Sequence, residues 1–258
     1  MNTEPDSAGV VTDHHGDEVV DVDAGVVEGA EPPSRRIPLD RDRILETAVS
    51  FIDQNSLRDL TMRRLGGALG VEAMSLYRYV PGREELLDGV VETILGELLD
   101  DEDVLLGPRD GWQDFLQRIA HGLRRVALAH PAAFPLVASR PLEAPWLRPP
   151  LRSLRWVERF LDGLLSEGFS DEGAIAAYRA FTSFLLGHLL LEVSANGADI
   201  GPLDVLGDDD RGERLHEYPQ VRRLGDSLAE DHSAVEFEES LENLLDRIAL
   251  IQLQTPKE

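Results

Sequence analysis

The sequence predicts an all-α protein, with a small N-terminal three-helix domain joined by a long helix to a larger helical domain. Three observations carry that expectation. Apolar residues recur at spacings of three and four through most of the chain from residue 40 onward. No segment shows convincing strand alternation. Residues 60–91, LTMRRLGGALGVEAMSLYRYVPGREELLDGVV, read as two short helices around a glycine turn, followed by a long amphipathic helix.

Residues 1–36 precede these elements as an acidic tail. Its first 34 positions carry nine acidic and no basic side chains and end in Pro32-Pro33 before Ser34, a composition expected to stay disordered. His14 and His15 within it have no second ligand cluster nearby and make a poor metal site. The first helix starts from Asp40 as N-cap and repeats Ile44, Leu45, Ala48, Val49 and Ile52 on one face. Thr61 can cap the second helix, whose inward residues are Leu65 and Leu69, and Gly70 supplies the turn. Leu76 and Val80 anchor the third helix. After Pro81-Gly82 a fourth helix opens with Glu84 and Glu85 at its positive end, and Leu86, Leu87, Val90, Val91, Ile94, Leu95 and Leu98 form its apolar stripe.

With Leu76 and Val80 inward, steps of about 100° per residue put Met74 and Arg78 on the outside, flanked by Ser75 and Tyr77. An exposed arginine, aromatic, hydroxyl and thioether in one row suit base edges, because arginine forks onto guanine and apolar groups meet thymine methyls. The row offers reading rather than catalysis. Charge distribution agrees with this. The net charge is −24, but residues 35–90 are balanced at nine acidic and nine basic groups, all the basic ones arginine. The acidic tail reads first as a solvated extension; the sharper alternative is that it competes with DNA for that arginine face.

On these residues the segment 40–91 resembles the DNA-binding domain of the TetR family of transcriptional regulators. The matching positions, in order, are Leu60, Thr61, Arg63, Leu69, Gly70, Val71, Leu76, Tyr77, Tyr79 and Arg83. Tyr79 stands where the family most often has histidine. Gly66-Gly67 stand where alanines are usual, at about 1 kcal/mol of helix propensity each. The resemblance implies that the start of the second helix at Thr61, with Tyr77, Tyr79 and Arg83, contacts phosphate or groove. It further implies that Arg63, Ala73, Met74, Ser75 and Arg78 set sequence preference. The boundaries it suggests are residues 37–88 for the helix-turn-helix and 89–258 for a helical ligand-binding and dimerisation domain.

In that second part helices are expected near residues 111–130, 148–167, 171–195 and 233–252, with a short piece near Phe134 and with 196–232 as a mobile loop ending in one short helix. Ser170 with Asp171 and Glu172 makes an acidic first turn, and Ser233 with Glu236 suggests a capping box. Residues 171–195 are apolar nearly all round in their second half, which suggests burial by a second copy in a four-helix interface shared with 233–252. The segments FTSFLLGHLLLEV and FEESLENLLDRI also resemble, more loosely, the tetracycline-repressor-like regulatory domain. Such a domain implies an unknown small-molecule effector, with His121, Trp146, Trp156, Phe160, Tyr178, Phe181 and His188 as candidate contacts and His130 at a helix end. No ordered ligand spacing supports a magnesium-tetracycline type of site, and no metal or cofactor is expected.

The expectation is thus a ligand-responsive DNA-binding regulator acting on a pseudo-palindromic operator as a homodimer. Repression is favoured over activation or ligand-independent binding. An all-helical enzyme is disfavoured, since the chain carries no nucleophile elbow, phosphate loop or HExxH pair. With no cysteine there is no disulfide framework. The apolar clusters read as too short for a membrane helix and the N-terminus is no basic-then-apolar signal, so a cytoplasmic location is expected.

Overall fold

The computed structural model describes residues 38–101, 104, 107–139, 154–198 and 217–254, and residues 39–258 cluster as one compact unit. Ten helices and no strands are present among the described residues. The first four are α1 (Arg41–Gln54), α2 (Met62–Leu69), α3 (Ala73–Leu76) and α4 (Arg83–Asp100). The remaining six are α5 (Trp112–Ala129), α6 (Pro135–Ser139), α7 (Leu154–Ser166), α8 (Asp171–Ala195), α9 (Pro219–Ala229) and α10 (Ser233–Gln254). The expected acidic tail and Trp146 lie outside the described residues, as do the start of the helix expected from 148 and residues 199–216 of the expected loop.

Side-chain caps start the helices where the sequence places them. The Asp40 carboxylate accepts from the Arg43 amide at 2.8 Å, the Thr61 hydroxyl from Arg64 at 3.2 Å and the Ser170 hydroxyl from Gly173 at 3.1 Å. Each satisfies a backbone donor that the helix itself cannot. The capping box at Ser233 does not form. Ser233 is already the first helical residue: its amide donates to Asp231 at 3.0 Å rather than to Glu236, and the Glu236 amide donates to the His232 carbonyl at 2.9 Å. The bond from Ser233 also holds the Asp231 pKa below the usual carboxylate range.

The N-terminal core is built from Ile44, Leu45, Ala48, Val49 and Ile52 of α1, Leu65 and Leu69 of α2, then Leu76, Val80 and the α4 stripe, all buried. Leu95 alone of that stripe is only half-buried. Gly70 ends α2 at φ 69°, a left-handed backbone that costs glycine little. α3 is shorter than its register suggests. Regular helix stops at Leu76 and a turn runs through Tyr79, because Pro81 disfavours helical backbone at the residue before it. Leu76 and Val80 nevertheless both face inward, so the outer row keeps its expected side.

α4 leaves this core and packs also on α5 and α6, so one rod belongs to both halves. In the second half α8 packs against α5, α7 and α10. Its most apolar 18-residue window has a mean hydropathy of 1.4, enough by length and composition to cross a membrane, which revises the expectation that every apolar run is too short. Its environment is a protein core: Phe181, Leu185, Leu189 and Val193 are buried against neighbours, and buried Glu192 is paired with Arg124 of α5 at 2.6 Å. The late short helix expected within 196–232 is α9, which buries none of its residues.

Candidate nucleic-acid interface and effector region

The sequence-predicted DNA contacts fall on one end of the small domain. Thr61 and Arg63 are exposed at the start of α2, and Met74, Tyr77 and Arg78 are exposed on the outer side of α3 and its following turn. Met74, a large thioether, is 76% exposed, which solubility alone does not favour. Ala73 and Ser75 are half-buried on the flanks. Tyr79 packs its ring on the core edge, and the Arg78 guanidinium lies 5.9 Å from that ring's centre. Arg83 opens α4 and donates to the Leu57 carbonyl at 3.4 Å, which ties the start of the rod to the α1–α2 loop.

The two arginines of α2 differ. Arg64 forms an ion pair with Asp59 and donates to the Asp59 carbonyl at 3.3 Å, and this partner with the Ser56 hydroxyl lowers the Asp59 pKa. Arg63 points to solvent. The family pattern picks out Arg63, which is exposed, whereas Arg64 is held by Asp59.

The predicted effector contacts do not converge on one opening. Phe160, Tyr178 and Phe181 interlock with ring centres 5.4–5.7 Å apart, all buried, and form ordinary core. Burial pushes the Tyr178 hydroxyl up to about 12. Trp156 is half-buried on the rim of α7. His121 and His188 instead meet over Phe237, at 5.7 and 5.3 Å between ring centres, with Phe184 beside them. Arg124 lies 5.0 Å over the same Phe237 ring while its other side engages Glu192. That carboxylate raises the Arg124 pKa further, so the charge is permanent. His188 and Glu192 then line an open pocket of about 460 Å³, whose other lining residues include Leu228, Asp231 and Glu236 at the junction of α9 and α10. Phe237 and Arg124 had no distinguishing pattern in the sequence, since each reads as one more amphipathic-helix residue. Among the described residues no group of three or more His, Asp or Glu side chains is disposed to hold a metal ion.

Sequence reading also missed a role for His130 beyond ending a helix. It caps α5, and its ring bonds Asp53 Oδ2 through Nδ1 at 2.7 Å and Glu97 Oε1 through Nε2 at 3.1 Å. Three helices meet at one side chain.

An all-helical chain that presents a helix-turn-helix with an outward reading row, carried by one rod on a second helical bundle, has the form of a DNA-binding regulator. The model of the tetracyclin repressor-like C-terminal domain matches residues 106–250, more than half of the chain, and the chain belongs to the TetR family. Among curated relatives, an HTH-type transcriptional regulator of Saccharopolyspora erythraea is 32% identical over 63% of this chain and 65% of its own length. The HTH-type transcriptional repressor DrrR1 of Streptomyces coeruleorubidus is 31% identical over 60% of this chain and 55% of its own. The chain therefore spans less than two thirds of either relative. In structure, the TetR family protein ActR of Streptomyces coelicolor, solved in complex with (S)-DNPA, matches with a TM-score of 0.60 and 27% identity, covering 84% of this chain and all of that one.

Proposed function

We propose that the protein is a ligand-responsive transcriptional repressor that binds a pseudo-palindromic operator as a homodimer and leaves it when a small molecule occupies the second domain. The observation that carries this reading is the exposed row Met74, Tyr77 and Arg78 set over buried Leu76 and Val80. Such a row presents one bidentate donor and two apolar groups to the major groove. Thr61, Tyr79 and Arg83 then serve the phosphates, which fix register without reading sequence. Arg63, Ala73 and Ser75 complete the base-facing side. A repressor among the relatives supports the sign of regulation, and a ligand-bound TetR family structure supports the effector.

Within the second domain we place effector entry at the cavity bordered by His188, with His121, Phe184 and Phe237 packed around that ring, and Trp146 and Trp156 remain candidate effector contacts. Phe160, Tyr178 and Phe181 support the bundle without touching the effector. Residues 37–88 and 89–258 are the two functional parts, α4 being common to both, and the protein works in the cytoplasm.

Genomic-fragment selection with the full chain, followed by mobility shift, tests the function. A short palindrome upstream of a gene, protected over two half-sites, is the expected result. A protected asymmetric half-site removes the dimer reading, and no enrichment over random fragments removes the regulator reading.

A further inference from the structure

His130 sits at the C-terminus of α5, between a carboxylate of α1 and a carboxylate of α4. Asp53 reaches it with Oδ2 at 2.7 Å, and the second oxygen of Asp53 accepts the Ala133 amide at 3.3 Å, so one α1 side chain grips both ends of the turn that leaves α5. Glu97 closes the other ring nitrogen at 3.1 Å. The ring and Asp53 are each less than one-fifth exposed, whereas Glu97 is about half exposed. A neutral imidazole has one N–H donor and one lone pair, so with carboxylates at both nitrogens one contact would set lone pair against lone pair. Only the imidazolium donates to both.

We infer that His130, Asp53 and Glu97 form a proton-dependent joint that positions the helix-turn-helix domain on the second domain. Its place fits that role. Asp53 belongs to the helix that braces α2 and α3, Glu97 to the distal half of the shared rod, and His130 to the end of a helix that packs against the effector region through α8 and α10. Among the described residues, Asp53 faces the ring from α1 and Glu97 from α4; Arg125 on α5 itself is engaged by Asp101, the C-cap of α4, Arg124 by Glu192, and α6 carries no ionisable side chain. The imidazolium also lies at a helix C-terminus, where positive charge is favoured.

The Asp53 hydrogen bond, helped by the Glu97 charge, raises the His130 pKa against the opposing effect of burial. A raised basic group stabilises the folded joint fully below its ordinary value of about 6.5 and ceases to do so as pH rises through the raised value. The joint is therefore closed in mildly acidic solution and weakens toward alkaline pH. This rests on the regulator reading only for its effect on DNA; the joint itself is measurable without DNA.

The test uses the full-length protein, with His130→Gln and the surface variant Glu97→Gln, the latter chosen because half-exposed Glu97 can change without loss of fold. Imidazole proton NMR should place His130 above the ordinary histidine value and lower in Glu97→Gln. Hydrogen exchange of the Ala133 amide, which is shared between Asp53 and the His130 carbonyl, should, corrected for intrinsic rate, accelerate at least tenfold between pH 6 and 9 in the wild type and lose that pH dependence in His130→Gln. With a selected operator fragment as probe, affinity should change at least threefold over that pH range in the wild type and much less in His130→Gln. An ordinary or depressed His130 pKa, or Ala133 exchange that follows the same pH profile in wild type and His130→Gln, overturns the joint. Parallel operator pH profiles with the exchange result intact overturn its positioning role, and a wild type that binds no fragment overturns instead the regulator reading.

Discussion

Gly66 and Gly67 look equivalent in the sequence, two helix-weakening residues side by side, yet their surroundings assign them opposite roles. A Cβ on Gly66 would lie 2.9 Å from the Val71 carbonyl oxygen and 3.2 Å from the Ala73 nitrogen, both backbone atoms that cannot swing aside. A Cβ on Gly67 would meet nothing within 4 Å. Gly66 is thus where α2 and the chain entering α3 approach closely, and this contact sets the position of Ala73 and the row behind it. Gly66→Ala should destabilise by about 1–3 kcal/mol through overpacking. Gly67→Ala should stabilise by about 0.5–1 kcal/mol by removing backbone freedom from the unfolded chain. Urea midpoints at constant slope check both, and equal shifts in the two variants would show that the α2–α3 approach is looser than described.

α2 and α3 show which parts of the molecule were legible beforehand. Thr61, Gly70, Leu76 and Val80 carry local signals, a cap, a turn and a period, and each holds the expected place. The end of α3 was blurred, because periodicity through Val80 is the same for a helix and for a helix followed by a helical turn. The effector region was legible in composition but not in convergence. Phe160 and Phe181 have the same chemistry as Phe184 and Phe237, and only packing decides which rings interlock with one another and which pack beside His188, the histidine that lines the cavity. His130 was legible as a helix end, but its partners are 77 and 33 residues away and no local pattern names them. On α3 the reading row makes its own prediction. Arg78→Ala removes an exposed side chain whose guanidinium lies over the Tyr79 ring, so the fold and thermal midpoint should change little, while sequence-specific binding should fall by about 1–3 kcal/mol with relaxed preference at one base pair. Competition with mutated operators measures this, and a uniform loss on every sequence would make Arg78 a phosphate contact instead.

Across the whole molecule, charge and apolar surface are distributed unevenly. Of the net −24, the arginine-bearing segment 35–90 contributes nothing, so along the sequence the acidic surplus lies on either side of it. In the second half, α8 and α10 leave apolar side chains in solvent: Leu191 at 69%, Leu250 at 49% and Leu253 at 77%. Ser183, Gly187 and Leu191 follow one another along α8 at intervals of four, all exposed, and small residues on one ridge admit a second helix closely. A Cβ on Gly187 would meet no atom within 4 Å, so the single chain has no steric need for glycine there. In a homodimer packed through this ridge it does, because any side chain would stand between the helices. Gly187→Glu should therefore keep full helix content, which glutamate favours over glycine in a helix, while converting a sedimenting dimer to a monomer. Operator binding should weaken with it, since two half-sites then no longer share one protein. A Gly187→Glu protein that still sediments as a dimer would move the interface to another face, with the exposed Tyr218, Val221, Leu224 and Leu228 stripe of α9 the next surface to vary.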